Sequence, residues 1–187
     1  MQIVTSLMNL QSYTINDTRT KDIFDVSLNR IKSMASVHEM LYKSSDFSKI
    51  EYQTYLNTLI SGLLNSIKGE SEMIKVDINA HDLNLNIDTS IPLGLLITEL
   101  ITNSLKHGIP GDSEGEIYVH LSCQADDSLE LKIGDNGVGL PEYFDLENSE
   151  SLGLQLVQSL IEQLSGSCKK DKSKKGTHIL IEFKEQN

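Results

Sequence analysis

Apolar positions recur along this chain with two different periods, and the switches between them outline its elements. Over residues 3–13, Ile3, Val4, Leu7, Met8 and Leu10 follow helical spacing, and residues 21–42 do so again. In that second stretch Phe24, Leu28, Ile31, Ala35 and Tyr42 form one stripe, and Met34, Val37 and Leu41 form another. A helix that is apolar on two sides needs more than one partner helix. The polar break at residues 14–18 makes the pair a hairpin. Two such hairpins, from two chains, can bury the surface in a four-helix bundle. Residues 44–49 are a short polar connector, which divides the chain into a hairpin at 1–45 and a second domain at 46–187.

The second domain begins with an amphipathic helix over residues 51–67, carried by Leu56, Leu59, Ile60, Leu63, Leu64 and Ile67. Alternation then predicts strands at 74–78 and 83–87. A helix is expected from Pro92, a favourable first-turn residue, to His107, where Gly108 and Pro110 stop it. Strands follow at 117–121 and 129–133, then a Gly-rich segment at 134–140, a polar loop to 151, a helix at 152–164 and a last strand at 177–183. The lysine-rich patch at 169–175 reads as a solvated hairpin turn or, more sharply, as a basic docking patch.

Composition narrows the partners. The 187 residues carry a net charge of −11, which disfavours nucleic acid and anionic membrane surfaces. No apolar run reaches the length of a membrane span. Cys123 and Cys168 lack metal-ligand spacing and read as reduced structural thiols in a cytoplasmic protein.

Four pieces carry candidate chemistry. On the helix ending at His107, Glu99, Asn103 and Lys106 fall within about one sixth of a turn, opposite Leu93, Ile97, Leu100, Ile101 and Ser104. That face is either a solvated surface or a Mg–phosphate site. In the second case Asn103 supplies an oxygen to Mg²⁺, Glu99 orients or deprotonates a nucleophile, and Lys106 offsets phosphate charge. Asp135 shares strand parity with Leu129, Leu131 and Ile133, so it points inward and needs a donor such as an adenine amine. Gly137 and Gly139 allow a close approach to a ligand; an ordinary Asp-Asn-Gly turn is the plainer reading. Ser151, Leu152, Gly153 and Leu154 open a helix whose free N–H groups form an anion site, compatible with a plain N-cap by Ser151. Gly176 and Thr177 begin the last strand, with the Thr177 hydroxyl on the core side.

In order, these pieces resemble the boxes of the ATP-binding domain shared by gyrase, heat-shock chaperone ATPases, histidine kinases and mismatch-repair ATPases. Residues 99–107 resemble the N box, Asp135-Asn-Gly137-Val-Gly139 the first glycine box, Gly153-Leu154 the second, and Gly176-Thr177 the closing Gly-Thr motif. The resemblance covers residues from about 50 to 187. It implies an α+β fold: a two-layer sandwich of a mixed sheet with helices on one face, ATP between the sheet and a lid at 140–151, and the helical hairpin in front. It also implies ATP and Mg²⁺ as ligands, adenine at Asp135 and Thr177, and His107 near phosphate or capping its helix.

The front segment resembles histidine kinases whose phosphoacceptor run reads His-Arg-Val-Lys-Asn-Asn before a Leu-Gln-Ile-Ile-type helix. Residues 1–12, residues 29–42 and Ser151-Leu-Gly-Leu-Gln-Leu-Val157 carry that likeness. In that class the acceptor run would lie just before Met1, so the chain is expected to lack its acceptor. His38, followed by Glu39, is a rival acceptor, but its stripe suits a packed or interfacial histidine; His81, His120 and His178 have no metal spacing. The resemblance implies phosphoryl transfer to a histidine and then to a response regulator receiver domain, with a homodimer formed through the hairpin. The alternatives are an anti-sigma-type serine kinase on the same nucleotide fold, and an ATP-binding dimerisation module or pseudokinase without turnover.

Overall fold

The computed structural model describes residues 2–15, 17–43, 49–69, 73–111, 113–139, 151–171 and 174–186; the side chains of residues 2–4, 9, 19, 38 and 40–43 lie outside the description. The expectations placed on the lid at 140–150, on the 44–48 connector and on the side chains of His38, Leu41 and Tyr42 therefore fall outside it.

Helices α1 (Gln2–Ser12) and α2 (Thr18–Lys43) form the expected hairpin. Asp17 starts α2 by accepting hydrogen bonds from the backbone N–H and the hydroxyl of Thr20, at 2.7 and 2.5 Å. The second stripe of α2 finds its partner in the same chain. Val37 is fully buried and Met34 partly so, in one apolar core with the rest of the molecule. The hairpin thus docks on the second domain along one flank, a use the sequence pattern had assigned wholly to a bundle with another chain.

A two-stranded ribbon of β1 (Ile50–Glu51) and β3 (Asn84–Leu85) frames helix α3 (Tyr52–Lys68). Glu51 caps α3 by accepting from the N–H groups of Gln53 and Thr54. The main sheet runs β2 (Ile74–Asn79), β4 (Gly115–Cys123), β5 (Ser128–Asp135), β7 (Thr177–Lys184), β6 (Ser167–Lys170) from edge to edge. β2 lies parallel to β4, and the other pairs are antiparallel, so the sheet is mixed. Its inner face carries Ile117, Val119, Leu121, Leu129, Leu131, Ile133, Ile179, Ile181 and Phe183, packed against α3, α4 (Ile87–Asn103) and α5 (Leu152–Gln163). Each such side chain contributes roughly 1.5–3 kcal/mol on burial. The outer face carries Tyr118, His120 and Lys132. This is the expected α+β two-layer sandwich with helices on one face.

Three expectations need correction. Residues 83–87 are not one strand: only Asn84–Leu85 pair, and α4 begins at Ile87. Asn86 caps it by accepting from the Thr89 N–H at 2.9 Å, and the chain end braces this start, Glu185 accepting from the Asn86 N–H and Thr89 Oγ1 from the Gln186 N–H. Ile87 and Ile91 therefore share a helical stripe, not a strand face. Pro92 sits inside α4 and not in its first turn. Part of the lysine patch is strand β6, where Lys169 pairs with Glu182 at 2.8 Å. The thiols of Cys123 and Cys168 are free, and burial pushes Cys168 above the usual thiol range.

The hairpin, α3 and α4 meet at one tyrosine. The Tyr55 hydroxyl lies 3.2 Å from Ser33 Oγ of α2, and a Cβ added to Gly94 of α4 would come within 1.9 Å of it. Gly94→Ala is expected to cost about 1–3 kcal/mol through overpacking. Gly62→Ala, on the exposed face of α3 with nothing within 4 Å, is expected to gain about 0.5–1 kcal/mol, and urea unfolding of the two variants checks both signs.

Burial pushes the Tyr55 phenol up to about 12, partly offset by its hydrogen bond to Ser33, and burial also raises Tyr52. A phenol that keeps its proton more tightly when folded stabilises the fold below the unfolded phenol's value near 10 and loses that contribution as pH rises through the folded value. The urea midpoint is expected to stay level up to about pH 9.5 and to fall between about pH 10 and 12.

Candidate functional site

The carboxyl end of β5 meets the carboxyl end of α4, and the site forms at that meeting. Asp135 is buried, at 1% exposure, and both of its oxygens are engaged. Oδ2 accepts from the Ser104 hydroxyl at 2.6 Å, and Oδ1 accepts from the backbone N–H of Gly137 at 2.9 Å and of Thr177 at 3.4 Å. The inward direction expected from strand parity is correct. Ser104 was placed among the core-facing residues, and its partner could not be read from that spacing.

Past Asn103 the helix widens. Residues Ser104–Gly108 form a π-turn, in which the Ile109 N–H donates to the Ser104 carbonyl at 2.8 Å. The Gly108 carbonyl, one of the last of the helix and without a partner in it, accepts from the Val138 N–H at 2.9 Å. The Asp-Asn-Gly turn is therefore sewn to the helix end. A Cβ on Gly137 would meet the Gly108 carbonyl at 2.0 Å, and one on Gly176, at φ +98°, would meet the Asp135 carbonyl at 1.9 Å. Both positions demand glycine for close approach.

A cavity of about 580 Å³ opens beside this knot, within the range of small-ligand pockets. Glu99, Asn103, Lys106, His107, Gly139, Ser151, Leu152, Gly153, Leu154 and Thr177 line it. Asp135, Gly137 and Gly176 sit behind that wall, with Ser104, Gly108 and Gly134 in front. The structure thus brings all the sequence-predicted residues to one place, some as lining and some as backing. Asn103 and Lys106 are half-buried and His107 is exposed, and none of the three makes a side-chain hydrogen bond among the described residues. They are polar groups available to a ligand. Ser151 caps α5, its Oγ accepting from the Leu154 N–H at 3.4 Å, as the plain N-cap reading expects.

Glu99 departs from its expected setting. It is 3% exposed and forms a two-point ion pair with Arg30 of α2. Arg30 Nε donates to Oε1 at 2.6 Å and Nη2 to Oε2 at 2.8 Å. The bond to Glu99 raises the Arg30 guanidinium above its ordinary value against the opposing effect of burial. On a face that helical spacing leaves as either a solvated surface or a Mg–phosphate site, Glu99 is covered by the hairpin, 69 residues away in sequence. Asp22, Ile23, Val26 and Ser27 of α2 line the same cavity.

The donor set suits a nucleotide with a hard cation: a buried carboxylate for a ring amine, an amide oxygen, an ammonium, and a helix start next to glycine. The remaining histidines stand apart. His120 pairs with Asp77 and His178 with Tyr118, and no group of three or more His, Cys, Asp or Glu suited to a metal occurs among the described residues.

Residues 88–187 match the family described as histidine kinase-, DNA gyrase B- and HSP90-like ATPases, and residues 1–67 match a histidine kinase family. The chain belongs to this family of ATPases. Within it, the chain is a histidine kinase core, the branch that the front segment implied. It is 29% identical over 185 residues to the sensor histidine kinase PdtaS of Mycobacterium tuberculosis, covering 97% of this chain and 36% of that protein. It is 25% identical over 191 residues to blue-light-activated histidine kinase 2 of Erythrobacter litoralis, covering 98% and 53%. Its fold matches the histidine kinase domain of the Erythrobacter litoralis EL346 blue-light activated kinase with a TM-score of 0.76, at 21% identity over 98% of this chain and 95% of that one. The chain therefore spans about a third to a half of these curated relatives. No described helix is long and apolar enough to cross a membrane.

Two substitutions probe the knot. Ser104→Ala is expected to lower stability by about 1.5–3 kcal/mol, the loss of a hydrogen bond to a buried charge. Gly137→Ala is expected to cost about as much by forcing the turn off the Gly108 carbonyl, read as the urea midpoint of each variant against the parent.

Proposed function

We propose that this chain binds Mg·ATP in the cavity between α4, β5, β7 and the start of α5, and is the phosphoryl-transfer core of a two-component sensor kinase. The observation that carries this reading is that Asn103, Lys106, Thr177 and the Ser151–Leu154 helix start share one cavity, with Asp135 directly behind its wall. Asp135 and Thr177 take the adenine, the glycines at 137, 139 and 176 let the backbone close around it, and the N–H groups near Gly153 with Lys106 and His107 steady the phosphates. Asn103 holds Mg²⁺, which when bound supplies charge neutralisation of the phosphates. Glu99 stands beside it to polarise the acceptor imidazole. Transfer of this kind relies on positioning and charge more than on covalent chemistry by the protein.

The phosphoryl group passes to a histidine, and from there to an aspartate of a response regulator receiver domain. Residues 1–45 serve as a dimerising hairpin and 46–187 as the ATP-binding domain, working in the cytoplasm, with residues 140–151 as lid. Exposed Leu7, Leu10 and Tyr13 on and just after α1 support a second copy there, because they find no cover among the described residues.

Calorimetry tests the nucleotide step. ATP binding is expected to be lost in Asp135→Asn, while Asn103→Ala keeps adenosine binding and loses the Mg²⁺ dependence of ATP binding. Unchanged ATP affinity in Asp135→Asn would remove that residue from the site. For transfer, the protein together with whatever its gene encodes before Met1 is incubated with γ-labelled ATP. Acid-labile, base-stable label supports the histidine kinase reading, acid-stable label the serine kinase, and binding without label a dimerisation module.

A further inference from the structure

The hairpin does more to the cavity than roof it. Asp22, Ile23, Val26, Ser27 and Arg30 are spaced by one, three and four residues, so they share one face of α2, and that face walls the cavity. Arg30 is the only cation among them. It engages Glu99 at two points, and no described residue takes its remaining N–H groups.

Glu99 sits where its charge matters. A Cβ built on Gly153 would lie 3.1 Å from Glu99 Oε2, so the carboxylate borders the helix start that suits an anion. An unpaired carboxylate there would repel a polyphosphate, and with so little water around it the repulsion is poorly screened. Asp22 adds a second negative group to the wall, and Lys106 lines the same cavity. The two-point bond also fixes the direction of the carboxylate, as guanidinium forks do.

We propose that Arg30 is a positioning residue of the phosphate site. It acts through Glu99, neutralising and orienting that carboxylate beside the start of α5. Because the hairpin carries it, the site has its proper charge only while the hairpin is docked on the ATP-binding domain. This rests on the nucleotide reading above, and it adds a coupling between hairpin position and phosphate binding.

The test is a cycle of Arg30→Met, Glu99→Gln and the double variant, titrated calorimetrically with Mg·ATP and with adenosine. Arg30→Met is expected to weaken ATP about tenfold or more, about 1.4 kcal/mol, with adenosine affinity held within about twofold. The double variant is expected to return to within about threefold of Glu99→Gln alone, since no bare carboxylate remains. If Arg30→Met fails to fold, Arg30→Lys, which keeps the charge and loses the fork, replaces it with a smaller loss in the same direction. Unchanged or tighter ATP binding overturns the proposal. So does a parallel loss of ATP and adenosine, the mark of a merely structural contact, or a double variant as weak as Arg30→Met. Parent protein that binds neither ligand defeats the nucleotide reading itself, and this one with it.

Discussion

A carboxylate buried to 1% exposure is tolerated only if donors surround it, and in this chain those donors come from three separate segments. Ser104 reaches Asp135 from the end of α4, Gly137 from the turn that follows Asp135, and Thr177 from the neighbouring strand β7. Meeting the charge requires the helix end, the turn and the last strand to converge, and their convergence outlines the cavity. The close approaches at Gly137 and Gly176 follow from the same demand. A side chain at either would hold two backbones apart, and Asp135 would lose a donor. The π-turn belongs to this set too, since it presents the Gly108 carbonyl to Val138.

The charge distribution has a logic that the net value of −11 conceals. Two buried carboxylates, Asp135 and Glu99, lie at the two sides of the site and are satisfied differently. Asp135 meets neutral donors, which a ligand's amine can join or replace at little electrostatic cost. Glu99 meets a full cation, which fixes its direction and removes its repulsion toward anions. An acidic protein can therefore carry a local balance that its net charge does not report, because Arg30, Lys106 and the N–H groups at the start of α5 meet at one cavity.

Much of this was legible in the sequence for physical reasons. Strand parity aimed Asp135 inward because the side-chain period of a strand admits no other answer once Leu129, Leu131 and Ile133 define the inner face. Gly137 and Gly139 marked a tight turn and a close approach, and at Gly137 that approach is to the Gly108 carbonyl. The ordered boxes then pointed to the family, which the matches over residues 1–67 and 88–187 support. Other features were hidden. Alternation at 83–87 imitated a strand, because Asn86 can cap a helix only when its partner Thr89 has already turned, which no two-residue period reports. The 100° step puts Ser104 on the core side, where it is buried, but it reports nothing of the bond to Asp135, 31 residues further on. Arg30 carried no signal at all, since its partner is 69 residues away and the meeting is set by docking.

That docking places opposing demands on one helix. α2 turns Met34 and Val37 into the core of the ATP-binding domain and Arg30 into the cavity wall, while α1 leaves Leu7 and Leu10 exposed. The apolar contact through Val37 and the ionic contact through Arg30 lie about two turns apart on α2. They respond differently to a shift of the helix. Apolar packing tolerates a small slide with a gradual loss, whereas a two-point ion pair breaks when its fork leaves the carboxylate plane and then exposes a buried charge to the full cost of being unpaired. A displacement too small to undock the hairpin is thus large enough to change the electrostatics of the cavity. The Arg30–Glu99 pair makes the position of the hairpin felt at the site, while the packed core keeps the two parts joined.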